Sequence, residues 1–558
     1  MAAFRASEEL KKSSNSEASP GPRRPGRPPK SETLARSMVE VPTRQKLPSK
    51  PKKSKLSPDD EGPDYWKIHI MKLKERGTLD EKIDHSMNID WVLTHEYLAD
   101  YFVKLQVQPA FIPRRGEVVL WVPLFSGTLE IKPGTDCWHM RSENGDWLGL
   151  PQWRAGVITQ APEEPSNFFD IARITKKNDS SMSSWGYRVE TLPDPVGDDK
   201  SFSLQYTYLP LSFIKPFGSF TKFLQKSPSS QRHPSLEHAM RTMASWSLLS
   251  HVRFSGTWPN AQIDSNGIFI GPDLIAIRDT VRLKPFGLKT ASLTTYDPVD
   301  VMVVERIWLE MEGCHEDPYD PLLADKVRPM LAGKVYTRDK DRLLRPMPFD
   351  KDPLEKLTDK DLLNAFSQSD EGDWYRIAGG RTCAVSQVMV LGRCYEPTAN
   401  LLLYGNARLD YDLNGVLSGR LYSNQTDERI PIEGDWFWGD NRVETLGLAT
   451  MNGVEVGEAA EQREHPRKWQ AILKVINGTF TNDDLKTAGL KDTSSRGHPL
   501  KQFAEVSKTS TLVSSSLGEV PATGSEDSDF NMSESELLAS IPFKGVVDED
   551  GQRDYQPK

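Results

Sequence analysis

GIFIGPDLIAIRDTVRLKPF (267–286) and, past a polar gap, VDVMVVERIWLEME (299–312) decide how this chain folds. Both are dense in β-branched and aliphatic residues, and Gly or Pro punctuates them where a helix would need continuity. In the second, Val304, Arg306, Trp308 and Glu310 stand at every other position, the period of a strand. Downstream, CAVSQVMVLGRCYE (383–396) and ANLLLYG (399–405) read as a return to β character after a polar, Pro-bearing insert at 337–372.

Upstream lies a second β region of short runs. GEVVLWVPL (116–124), WRAGVITQAP (153–162), GYRVETLP (186–193) and LPLSFIKPF (209–217) are each bounded by Gly or Pro. Short strands at this spacing predict a small barrel or curled sheet. Two helices precede it. Ile68, Ile70, Met71, Leu73 and Leu79 mark the first, and Trp91 to Leu105 mark the second at three- and four-residue steps. HPSLEHAMRTMASWSLLSHV (233–252) has helical spacing between the β regions, RFSGTWPNA (253–261) reads as a turn, and HPRKWQAILKVI (465–476) as one closing helix. The expected fold class is α+β: a β-rich multidomain chain with disordered N- and C-terminal tails.

The chain has 558 residues and a net charge of -9, unevenly spread. Residues 1–58 carry 14 Lys/Arg against 5 Asp/Glu, a net of +9, and residues 517–558 carry 3 against 10, a net of -7. The head suits a polyanion and the tail does not. Both ends are poor in aromatics and cannot bury enough surface to offset chain entropy. Cys137, Cys314, Cys383 and Cys394 show no CxxC spacing, so reduced thiols in a reducing compartment are expected. No secretory core or run of 18 apolar residues is present, which points to a soluble intracellular protein with no membrane partner.

Within the head, RRPGRPPK (23–30) resembles an AT-hook. Arg27 would lie along the floor of an A·T-rich minor groove, Gly26 would allow the close approach, and Arg23, Arg24 and Lys30 would meet phosphates. Pro25 departs from the usual basic residue before the Gly. KPKKSKL (50–56) resembles a nuclear import signal, with Lys50, Lys52, Lys53 and Lys55 as its importin-binding cations. Arg114-Arg115 and Lys176-Lys177 are candidate phosphate contacts. In the tail, Phe530, Leu537, Leu538, Ile541 and Phe543 cluster among acids and form a candidate partner-docking peptide.

No metal or catalytic site is expected. His233, His238 and Cys314-His315 each lack the second half of a metal site. No P-loop, HExxH, GxSxG or kinase signature occurs, so no cofactor is expected either. The many Trp and Tyr residues near the β regions are expected to pack in the core, although three or four in convergence would make a cage for a methylated lysine.

The order of WRAGVITQAP, GYRVETLPDPVGDDKS, PLSFIKPF, HPSLEHAM and RFSGTWPNAQID…GIFIGPDLIAIRDTVRLKP resembles the fungal transcription-silencing family called cryptic loci regulator 2. The resemblance runs from about Trp66 to Val304 and more loosely to about 450. It implies a non-enzymatic subunit of a heterochromatic repressor complex that pairs a histone deacetylase with a nucleosome remodeller. It also implies a domain order. Residues 63–110 would be its helical region, while the basic tail at 1–62 and the acidic tail at 477–558 are read from composition and take no part in the resemblance. Residues 111–252 hold a methyl-CpG-binding-like part, and 253–476 a bromo-adjacent homology-like domain with the insert at 337–372. The implied partners are the other complex subunits, DNA, nucleosomes and importin, in nuclear heterochromatin. A stand-alone reader of histone marks or nucleosomes is the alternative.

Overall fold

The computed structural model describes residues 65–84, 90, 98–135, 137–162, 166–172, 186–197, 206–227, 231–284, 300–317, 320, 322–338, 354–366, 373–377, 380–405, 413–431, 434–451, 454–455, 466–476 and 480–490. The chain begins with helix α1 (Tyr65–Arg76), strand β1 (Thr78–Lys82) and helix α2 (Leu98–Val107). The first β region then runs β2 (Val118–Trp121), β3 (Gly127–Lys132), β4 (Cys137–Ser142), β5 (Trp147–Gly149), β6 (Arg154–Gln160), β7 (Tyr187–Thr191), β8 (Tyr206–Leu209) and β9 (Ile214–Pro216). Five of these form an antiparallel sheet in the order β8-β7-β6-β2-β9, and β3-β4-β5 form a separate three-stranded sheet inserted between β2 and β6. Every residue of β2 is buried, because both faces of that central strand are covered. The five-stranded sheet is open: β8 and β9 do not pair, so the barrel expected from strand spacing gives way to the curled-sheet alternative.

Helix α3 (Pro234–Arg241) leads into strands β10 (Ser245–Thr257), β11 (Asn260–Ile270), β12 (Asp273–Ala276) and β13 (Thr280–Leu283). The helix expected over 233–252 therefore ends eleven residues early. The apolar steps at Met243, Trp246 and Leu249 also suit a strand covered on both sides, and residues 245–250 are all buried. Ten register pairs with β11 outweigh local periodicity here. The turn expected at 253–261 is the β10–β11 hairpin, which reverses between Thr257 and Asn260.

Next come β14 (Asp300–Cys314) and β15 (Ala324–Thr337), paired along nearly their whole length. β16 (Leu354–Lys356), β17 (Tyr375–Ile377), β18 (Thr382–Ser386) and β19 (Val390–Arg393) follow. With β1, β10 to β13 and the two-residue β20 (Phe437–Trp438) they complete a 12-stranded sheet. Gly333 sits where β15 crosses closest to β14: a Cβ there would stand 1.9 Å from the Val303 carbonyl oxygen. Gly333→Ala must push the strands apart next to the Val304/Arg306 bulge. We expect it to lower stability by about 3 kcal/mol in urea unfolding, as overpacking does; a loss under 0.5 kcal/mol would contradict this geometry.

Residues 397–404 are helix α4 (Pro397–Tyr404), a correction to the β reading of ANLLLYG. Pro397 occupies its first turn and Gly405, at φ 72°, its end, a start and stop signature that the apolar run obscured. α5 (Leu413–Thr426), α6 (Pro466–Ile476) and α7 (Asn482–Thr487) complete the chain described. α6 is the expected closing helix, but α7 follows it, opened by a capping box between Thr481 and Asp484.

One continuous core joins the first β region to the second. It runs from Val118, Trp121 and Phe217 through Leu249, Phe269, Leu274 and Val301 to Trp374 and Trp469. A second core seats Trp66, Ile70 and Leu73 of α1 against Phe254, Ile263, Ile307 and Leu309 of the long sheet. The N-terminal helix thus belongs to the second β region, to which β1 also adds through β10.

Candidate interaction site and the joint that supports it

Residues just before β2 and around β12, β13 and β19 meet in a buried network of charges. Glu117 is 3% exposed. Its Oε2 accepts from Arg393 Nη2 at 2.7 Å and from the Arg114 backbone N–H at 2.8 Å, and its Oε1 accepts from the Leu274 N–H at 2.8 Å. Arg393 Nη1 donates to the Ala110 carbonyl at 2.6 Å. Arg114 grips Asp279 with both terminal nitrogens, at 2.5 and 2.7 Å. Arg442 Nε donates to the Gly116 carbonyl at 2.7 Å, and its backbone N–H donates to Asp90 at 2.8 Å. Arg282 Nε donates to the Arg393 carbonyl at 2.9 Å. Burial pulls the Arg393 guanidinium down, but Glu117, with Tyr395, Asp279 and Asp273 beside it, together more than reverse this and hold it above its ordinary value. The network fixes the first β region to the second through bonds that cross 157 to 326 residues of sequence.

This placement decides the fate of two expected phosphate contacts. Arg114 and Arg115 are 2% and 9% exposed, and the Arg114 fork is spent on Asp279. They face the interior of the joint. Lys176 and Lys177, the hook-like residues Arg23, Arg24, Gly26, Arg27 and Lys30, the import-like lysines 50, 52, 53 and 55, and the tail cluster at 530–543 lie outside the described residues.

The aromatics do converge at one place. Trp138 and Trp153 approach the Phe223 ring at 6.0 and 5.4 Å, and Tyr404 approaches it at 6.0 Å. Strand register brings Lys215 to this side of the sheet, since Leu120 pairs with both Ala155 and Lys215. The Lys215 ammonium stands 4.2 Å above the Trp138 ring. Burial alone depresses its pKa to about 7. The Trp138 face of this cluster is thus already taken by the chain's own amine. Elsewhere Trp374 is fully buried, with the Arg338 guanidinium 5.4 Å from its ring, and Arg306 lies 4.6 Å over Trp308.

The histidines have structural tasks. His233 caps α3, and His238 Nε2 lies 2.7 Å from the Leu446 carbonyl oxygen. His315 bridges Asp320 and Asp325 at 2.8 and 2.9 Å, which requires both ring nitrogens to donate and accounts for its raised pKa. Among the described residues no three His, Cys, Asp or Glu side chains group to hold a metal ion, and no helix is long and apolar enough to cross a membrane.

Sequence reasoning missed the charged joint entirely. Its members are scattered from residue 90 to residue 442, and nothing local marks them.

What these elements define is a β-rich α+β protein of several open sheets welded into one body, with its strongest charges used for internal fastening. Residues 265–396 match the family model of the transcription-silencing protein Clr2. The match begins in β11 and ends past β19, so it supplies Asp279, Arg282 and Arg393 to the joint, while Arg114, Glu117 and Arg442 come from outside it. A solved structure of Clr2 bound to the Clr1 C-terminus is similar at 12% identity and a TM-score of 0.30, over 62% of this chain and 61% of that one. No curated protein matches the chain.

Proposed function

We propose that this protein is a non-catalytic scaffold and chromatin-contacting subunit of a heterochromatin silencing complex, whose partners deacetylate histones and remodel nucleosomes. The observation that carries this reading is the transcription-silencing match at 265–396, seated on a joint that makes both β regions one rigid platform. Residues 111–252 serve as the methyl-CpG-binding-like part and 253–476 as the bromo-adjacent homology-like part. The head adds an AT-hook-like grip on DNA and an importin signal for entry to the nucleus, and the cluster at 530–543 docks a partner subunit. The stand-alone reader is less favoured, because the converging aromatics at Trp138 already hold Lys215.

The test is DNA and nucleosome binding by the purified full chain over a salt series. Counterion release makes affinity fall steeply with salt, by about 0.9 log unit per log unit of salt for each phosphate met. Replacing Arg23, Arg24 and Arg27 with Gln is expected to flatten that slope by about 2 to 3. No binding of the wild type to DNA or nucleosomes at about 50 mM salt would contradict the chromatin-contact reading.

A further inference from the structure

Near the start of α3, no carboxylate among the described residues pairs with either of two arginines, Arg154 and Arg232. Arg154, which opens β6, has one contact of its guanidinium among the described residues: its Cζ lies 5.3 Å from the Trp121 ring centroid. Arg232 is half-buried, and its enclosed Nε–H meets no acceptor. Both border His233: Arg232 precedes it in the chain, and the charge of Arg154 acts on its ring. His233 accepts from the Ser235 N–H to cap α3, and Ser235 Oγ accepts from the Ala155 N–H at 2.9 Å, which pins Arg154 beside the helix start. Under Arg154 the indole N–H of Trp121, a residue 4% exposed, is also without an acceptor. That atom is itself enclosed, packed against Gly156, where a Cβ would stand 3.1 Å from it.

We propose that Arg154 and Arg232, bordered by Trp121 and the start of α3, bind an oxyanion of the phosphate class, and that its source is the backbone of DNA. A desolvated cation without a counter-ion is an incomplete ion pair, and a planar guanidinium fork completes it best with two oxygens on one phosphorus. Asp194 is the carboxylate that acts on this corner through His233, and its Oδ1 accepts from the Val196 N–H. Burial keeps His233 below its ordinary pKa, so the ring is neutral at pH 7. Among the described residues, Arg154 and Arg232 against Asp194 leave a net of one positive charge. That balance matches the single charge of a phosphodiester better than the near-double charge of a phosphorylated side chain.

The inference rests on the DNA-contacting part of the proposed function, and the experiment separates the two. Full-length wild type, R154Q/R232Q and R154K/R232K are titrated with a duplex of about 20 base pairs at several salt concentrations, with thermal unfolding as a check on the fold. The expected result is a slope of log affinity against log salt shallower by about 2 in the glutamine variant. The lysine variant should keep the slope but bind more weakly, because it retains charge and loses the fork. An unchanged slope in R154Q/R232Q would overturn the inference while leaving the DNA-contact reading intact. A wild type that binds no DNA would overturn both. If the slope is unchanged but a phosphoserine peptide binds the wild type and not R154Q/R232Q, the DNA source is wrong.

Discussion

Replacing Arg393 with Ala is expected to cost about 3 to 5 kcal/mol of folding stability, the range seen when one partner of a buried ion pair is removed. The reason is what remains. Glu117 sits 3% exposed between the two β regions, and among the described residues Arg393 is its side-chain donor, at 2.7 Å. Removing the guanidinium leaves that carboxylate buried without its ion-pair partner and frees the Ala110 carbonyl that Arg393 also held. The double replacement Glu117→Gln with Arg393→Met removes both charges and should recover much of the loss, since a buried pair is often matched by neutral residues of similar volume. Urea unfolding of the three variants reads the effect. A loss under 1 kcal/mol in Arg393→Ala would mean that the joint does not hold the regions together.

The second large effect has the opposite sign. Lys215→Met is expected to stabilise the protein at pH 7. Burial lowers the Lys215 pKa from 10.5 to about 7. A depression of that size corresponds to a penalty on the order of 5 kcal/mol for keeping the charged amine inside. The attraction to Trp138 returns about 2 kcal/mol. The net expected gain is roughly 2 to 3 kcal/mol for a methionine, which fills similar space without the charge. The folded-state pKa is depressed, so the stability that a neutral Lys215 provides is complete above pH 10.5 and is lost as pH falls towards 7. The advantage of methionine must therefore shrink as pH rises from 7 to about 10. Unfolding of wild type and Lys215→Met at several pH values tests this. A constant difference across that range would show that the Lys215 charge is not the cause.

Much of the long sheet was legible because its strands announce themselves. VDVMVVERIWLEME became β14, whose buried and exposed positions follow its composition. The runs at 116–124, 153–162 and 186–193 became β2, β6 and β7 for the same reason. Failures arose where two periods coincide. Trp246 and Leu249 fit a helix stripe and a doubly buried strand alike, and pairing with β11 decided between them. α5 was not anticipated: it contains Gly415 and Gly419, and Gly419 packs so closely that a Cβ would meet Met243 and Phe220 at 3.1 to 3.3 Å. That packing is a tertiary reason for a helix that its local propensity does not advertise.

The interaction site was harder to read than the fold. Arg114-Arg115 looked like surface cations because adjacent arginines usually are, yet a carboxylate 165 residues away claimed the first. Arg154 and Arg232 drew no notice in the sequence, being isolated arginines beside a Trp and a His. What sets them apart once the chain is folded is that no carboxylate among the described residues pairs with either.

The scaffold reading is tested most directly by recovering the tagged full-length protein from nuclear extract and identifying its companions by mass spectrometry. The account predicts a histone deacetylase and a nucleosome-remodelling ATPase together, in amounts comparable to the bait. Recovery of histones alone would contradict it in favour of a stand-alone reader, and recovery of neither enzyme nor histone would remove the silencing complex from the account.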